Sequence, residues 1–113
     1  MSTNYYAVRT RPTIEEPIHI GKSSGGWKFL FETHNDRYNT PPVVWNTYKQ
    51  VILWLHNYVE VSKEYVILDE YDDTVSLDEF KALVDRKQNE NNPDNFTYAR
   101  NVDGYRFMDG EFR

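Results

Sequence analysis

The chain has 113 residues, 13 basic against 18 acidic side chains for a formal net charge of −5, and no cysteine. That length fits one small domain with one core; the charge argues against general binding to duplex nucleic acid; the missing cysteine excludes disulfides, thiolate metal sites and a thiol nucleophile. No apolar run approaches the roughly 18 residues of a membrane helix, and Met1-Ser2-Thr3-Asn4-Tyr5-Tyr6 lacks the basic and apolar stretches of a secretory signal, so no membrane is expected as a partner.

Tyr5-Tyr6-Ala7-Val8-Arg9 is ring-rich and β-branched and reads as a first strand. Arg11-Pro12-Thr13 breaks it, and Pro17-Ile18-His19-Ile20 alternates as a short second strand. Residues 21–26 read as a loop by composition. Trp27-Lys28-Phe29-Leu30-Phe31-Glu32 alternates again, with Trp27, Phe29 and Phe31 on one face. From Val44 the period lengthens. Trp45, Tyr48, Ile52 and Leu55 recur at three and four, which predicts a helix to about Tyr58. Tyr65-Val66-Ile67-Leu68 reads as a buried strand, and Glu70-Tyr71-Asp72-Asp73-Thr74 as a turn. Ser76-Leu77-Asp78-Glu79 is a capping box that opens a second helix with Leu77, Phe80, Leu83 and Val84 on its apolar stripe. Phe96-Thr97-Tyr98-Ala99-Arg100 and Tyr105-Arg106-Phe107-Met108 flank an Asp103-Gly104 hairpin signal. The order is an α+β pattern: a small antiparallel sheet with two helices packed on it, in a single domain spanning residues 1–113.

The chemistry concentrates in His19-Ile20-Gly21-Lys22-Ser23-Ser24-Gly25-Gly26-Trp27. Gly-Lys-Ser suggests a P-loop, but the Walker pattern needs a glycine where Glu16 stands and a helix where a strand pattern follows. The residues suit an anion cradle instead. Gly21, Gly25 and Gly26 allow close backbone approach, Ser23 and Ser24 add hydroxyls, Lys22 adds a charge, and Trp27 offers a flat face to a base. Residues 1–60 hold six basic and five acidic side chains and residues 61–113 seven and thirteen, so the first half can still offer an anion site. His19, His34 and His56 lack metal-ligand spacing, and the acidic run from Asp69 lacks the glycine and glutamate of a calcium loop. No catalytic set is recognisable, so no enzyme is expected. Nine tyrosines, six phenylalanines and three tryptophans predict a ring-lined binding surface.

The segment HIGKSSGGW, with the opening MSTNYY, resembles a widespread family of small phage-encoded proteins in which a TNYY strand leads into HIGKSS-x-GW. Trp45, Asp69-Glu70-Tyr71, Ser76-Leu77-Asp78-Glu79 and Asp109-Gly110-Glu111-Phe112 match that family's Trp-bearing helix, DEY, S-x-x-E and terminal DGEF. The resemblance covers essentially the whole chain. Many relatives carry Cys-x-x-Cys pairs ahead of HIGKSS; residues 11–16 stand there in this chain, so any metal role of those pairs is absent. The family looks like the phage sponge proteins that sequester the cyclic oligonucleotide signals of bacterial CBASS defence in the host cytoplasm. The resemblance implies a 3′,3′-cyclic dinucleotide ligand such as cGAMP, a homo-oligomer of even number, no cofactor and no cleavage. Lys22, Ser23, Ser24, Gly25 and Gly26 would hold a phosphate. Trp27 or Tyr6 would stack a base, and His19 or Arg9 would read an edge. Phe112 and Arg113 would cover the ligand or meet a second subunit. The competing expectation is a host-takeover module that binds a protein through rings exposed on the Trp45 helix.

Overall fold

The computed structural model describes residues 2–11, 16–90 and 99–109. In chain order they form β1 (Ser2–Arg9), β2 (Ile18–Ser24), β3 (Leu30–Asp36), β4 (Val43–Trp45), α1 (Tyr48–Leu55), a π-helical segment (His56–Val61), β5 (Tyr65–Asp69), β6 (Thr74–Val75), α2 (Leu77–Lys87), β7 (Ala99–Val102) and β8 (Tyr105–Asp109). The strands make one sheet in the order β6-β5-β1-β2-β3-β8-β7, with β4 added on β3. β3 and β8 run parallel, and the other described pairings are antiparallel. This is the expected α+β architecture, two helices on a mostly antiparallel sheet.

Three elements differ from expectation. β2 continues through Gly21, Lys22 and Ser23 to Ser24, because those residues pair with β1 in the register Tyr5↔Gly21, Asn4↔Lys22, Thr3↔Ser23 and Ser2↔Ser24. The connection to β3 thereby shifts to residues 25–29 and opens with a turn at Gly25-Gly26, closed by the Trp27 amide donating to the Ser24 carbonyl at 3.1 Å; Trp27 and Lys28 lie in this connection rather than in the expected third strand, so Trp27 does not share the face of Phe29 and Phe31. Gly26 carries φ +81°, the left-handed geometry that favours glycine at the third position of such a turn. Secondly, Trp45 belongs to β4 rather than to a helix, with Val43 and Trp45 inward and Val44 outward. Thirdly, α1 starts later. Thr47 caps it by accepting from the Gln50 amide at 3.2 Å.

Other expectations hold locally. Ser76 and Glu79 form the reciprocal capping box at the start of α2. The β7–β8 hairpin turns at Asp103 and Gly104, with φ of +53° and +87°, as a two-residue turn with both centres left-handed requires. The expected start of β7 at residues 96–98, the break at Pro12-Thr13 and the terminal Phe112 and Arg113 lie outside the described residues.

Many of the rings pack into the core. Tyr5, Phe29 and Phe31 pack against Phe80 of α2, and Phe31 against Tyr48 of α1 and Phe107 of β8, with centroids 4.7–6.4 Å apart within the cluster. Such pairs each add roughly 0.5–1.5 kcal/mol beyond area burial. Trp45 (0% exposed) and Trp54 (7%) meet edge to face at 5.4 Å, so α1 carries no tryptophan surface for a protein partner. Both helices thus cover the face that Tyr5, Phe29 and Phe31 line. By strand alternation Asn4, Lys22 and Leu30 face the other way. No helix among the described residues is long and apolar enough to cross a membrane.

Candidate functional site

On that opposite face one cross-strand row decides what meets what. Asn4 pairs with Lys22, Lys22 with Leu30, and Leu30 with Arg106 of β8. Adjacent strands lie about 4.8 Å apart, so Lys22 and Arg106 stand about 10 Å apart at Cα with Leu30 as an apolar floor between them. Ser24 lies two residues along β2 and shares the face of Lys22. The Gly25-Gly26 turn then brings Trp27 and Lys28 back over the row. Together Lys22, Ser24, Trp27, Lys28, Leu30 and Arg106 line a cavity of about 110 Å³.

Among the described residues the lining holds three cations, Lys22, Lys28 and Arg106. Burial pulls the Arg106 guanidinium below its usual value, the mark of a cation short of water. The rim is held by neighbouring elements. Lys28 Nζ donates to the Gly104 carbonyl at 3.3 Å, and Gln88 Nε2 donates to the same oxygen at 2.9 Å. From the end of α2, Lys87 Nζ donates to the Ser24 carbonyl at 2.7 Å. An indole, an apolar floor and three cations around one cavity can take a flat ring and an anionic group side by side.

The expected residues separate into three groups. Lys22, Ser24 and Trp27 come together in the cavity. Gly25 and Gly26 form the adjoining turn, while Ser23 sits in the β1–β2 ladder on the other face. Gly21 does not serve an anion. A Cβ there would meet the Leu30 carbonyl oxygen at 2.2 Å and the Phe29 ring at 2.6 Å, so its glycine permits close approach of β2 to β3. The backbone cradle expected over residues 21–26 is therefore largely used in sheet pairing, and the cavity offers side chains in its place.

His19 and Tyr6 belong to a buried polar network instead. His19 is 5% exposed; Nδ1 meets Glu32 Oε1 at 2.8 Å and Nε2 meets Asn4 Oδ1 at 2.9 Å. The Tyr6 ring lies 5.2 Å from the imidazole. His34 Nε2 donates to the His19 carbonyl at 2.7 Å, which commits that nitrogen as a donor and removes it as a metal ligand. The expectation that His19 reads a base edge is corrected: both its ring nitrogens are engaged, and its visible role is to tie β1, β2 and β3 together. No group of histidines and carboxylates among the described residues is arranged to hold a metal ion. Arg9 lies five residues along β1 from Asn4, about 17 Å away at ~3.3 Å per residue, and so cannot share a site with Lys22. Its guanidinium donates to the Thr40 carbonyl and lies over the Tyr65 ring, 5.0 Å from the centroid.

Lys28, Leu30 and Arg106 were missed. Lys28 adjoins Trp27 and could have been included on proximity. Arg106 alternates against the core ring Phe107, so its outward direction was readable, but its place beside Lys22 depends on the parallel β3–β8 pairing.

Comparison of the chain with protein-family models, with curated proteins and with solved structures gave no match.

Proposed function

We propose that this protein binds and holds a phosphate-bearing nucleobase ligand of the 3′,3′-cyclic dinucleotide class without transforming it. The observation that carries the reading is the convergence of Lys22, Lys28 and Arg106 with the Trp27 indole on one cavity. Two ammonium groups, a guanidinium and an indole around one apolar floor supply what retention of an anion and a flat ring needs. A volume of about 110 Å³ accommodates one phosphate or the edge of one ring, well under the ~300 Å³ at which sites for whole small ligands begin. A dinucleotide would leave half of itself outside. Its near two-fold symmetry then suits a second copy presenting the same cavity, which is the basis for an even-numbered assembly. Sequestration of a cyclic signal in the bacterial cytoplasm, as the phage sponges do, is the role that fits such a protein.

Equilibrium titration with cyclic dinucleotides tests the reading. Lys22→Ala, Arg106→Ala and Trp27→Ala should each weaken binding at least tenfold, about 1.4 kcal/mol. Trp27 is only half-buried, so its variant should melt near the wild type. Native mass spectrometry should show one ligand per two chains, and heat denaturation should return the ligand intact. Unchanged affinity in all three variants, or recovery of a cleaved ligand, overturns the proposal.

A further inference from the structure

α2 ends on two consecutive residues that reach different parts of the sheet. Lys87 is its last residue, and Gln88, still in right-handed helical geometry at φ −64° and ψ −21°, is its C-cap. Neighbours on a helix point about 100° apart, so the two side chains diverge. Lys87 Nζ donates to the Ser24 carbonyl at 2.7 Å, and Gln88 Nε2 donates to the Gly104 carbonyl at 2.9 Å. Those carbonyls belong to the two turns that bound the Trp27 cavity. Ser24 opens the turn that delivers Trp27 and Lys28, and Gly104 stands two residues before Arg106.

Each oxygen is shared with a residue of the cavity lining. The Ser24 carbonyl also accepts from the Trp27 amide at 3.1 Å, and the Gly104 carbonyl also accepts from Lys28 Nζ at 3.3 Å. A carbonyl oxygen has two lone pairs, so each accommodates both donors. The end of one helix is thereby bonded to the same two atoms that hold Trp27 and Lys28.

Neither contact is the easiest one open to its side chain. The Lys87 side chain is 13% exposed, and its ion-pair partner Glu90 stands at 3.6 Å, farther than the Ser24 oxygen. Ordering a long ammonium side chain on a neutral carbonyl costs rotamer freedom and hydration. Gln88 keeps Nε2 on Gly104 although its Oε1 is buried without a hydrogen-bond partner among the described residues. Buried acceptors are rarely left in that state, because their lost hydration is not recovered.

We infer that the end of α2 sets the shape of the Trp27 cavity. Lys87 and Gln88 are positioning residues: they fix the indole wall and the Arg106 wall at the separation that selects the ligand, and neither lines the cavity itself. The inference rests on the reading that this cavity binds an anionic nucleotide.

The test combines titration with 3′,3′-cGAMP and the indole Nε1–H resonances of the ligand-free protein. Trp45 and Trp54 donate to the Glu32 and Pro42 carbonyls at 2.7 and 2.9 Å and serve as internal references. Lys87→Met should move the Trp27 resonance, leave the other two in place, and weaken binding about fivefold or more. Lys87→Arg keeps a donor and should restore both. Gln88→Leu should weaken binding to a similar degree and displace the backbone amide resonances of residues 104–106. An unchanged Trp27 resonance or affinity in Lys87→Met, displacement of all three indoles together, or failure of Lys87→Arg to restore them overturns the inference. Absence of binding by the wild type overturns the ligand reading instead, and the Trp27 resonance then decides the positioning role by itself.

Discussion

At Gly21, β2 and β3 come closer than any side chain allows. An added methyl would stand 2.2 Å from a backbone oxygen, which cannot move without breaking the pairing of Gly21 with Phe31. Gly21→Ala should therefore destabilise the protein by about 1–3 kcal/mol, as overpacking does. Gly25→Ala is the internal control, because nothing lies within 4 Å of its added Cβ. Urea unfolding of the two variants checks this, and equal midpoints would show that the strands can separate without cost. Neighbours in one motif thus do different work. Gly21 serves packing, Gly26 the turn, Lys22 and Trp27 the cavity, and His19 the buried link to Glu32.

Among the elements, α2 is the one whose start, face and end were all legible. Ser76 accepts from the Glu79 amide at 3.0 Å, and Glu79 Oε1 accepts from the Ser76 amide at 3.1 Å. Ser76→Ala should cost about 1 kcal/mol in stability, measured by thermal unfolding. The Ser76 hydrogen bonds hold the Glu79 carboxyl below its usual value. A carboxyl depressed in the folded state stabilises above its ordinary range, so the box's contribution fades as pH falls through the lowered value; the Ser76 amide, the first cause, survives Ser76→Ala, so it is Glu79→Gln that should flatten that part of the acid unfolding curve. α1 was less legible. Trp45 stands three residues before Tyr48 and so satisfies a helical period, while β4 is too short to establish alternation. The tertiary bond from Trp45 Nε1 to the Glu32 carbonyl at 2.7 Å holds it against β3 instead.

Across the whole molecule, Tyr48 of α1 stacks on Tyr105 of β8 at 4.1 Å, joining the helix layer to the parallel pair in the sheet. Burial, with Asp85 of α2 nearby, pushes the Tyr48 hydroxyl up to about 12, and the same causes raise Tyr105. In the unfolded chain these phenols lose their protons near 10. The unfolded state therefore binds fewer protons between about pH 10 and 12, and stability should fall through that interval. Tyr48→Phe should lessen the fall, which unfolding midpoints at pH 9, 10 and 11 would reveal. An unaltered slope would assign alkaline unfolding to other groups.

Local chemistry was enough to determine the fold class, the capping box of α2 and the Asp103-Gly104 turn, because each depends on residues close in the chain. The sequence by itself also marked the rings, but not their use: whether a ring is core or surface depends on what packs against it. Tertiary structure alone decided that β2 runs through Gly21–Lys22–Ser23, that β8 lies parallel to β3, and that Arg106 stands beside Lys22 while Arg9 does not. Those are pairings between distant segments, selected by the burial of Phe29, Phe31 and Phe107 together, and no local spacing encodes them.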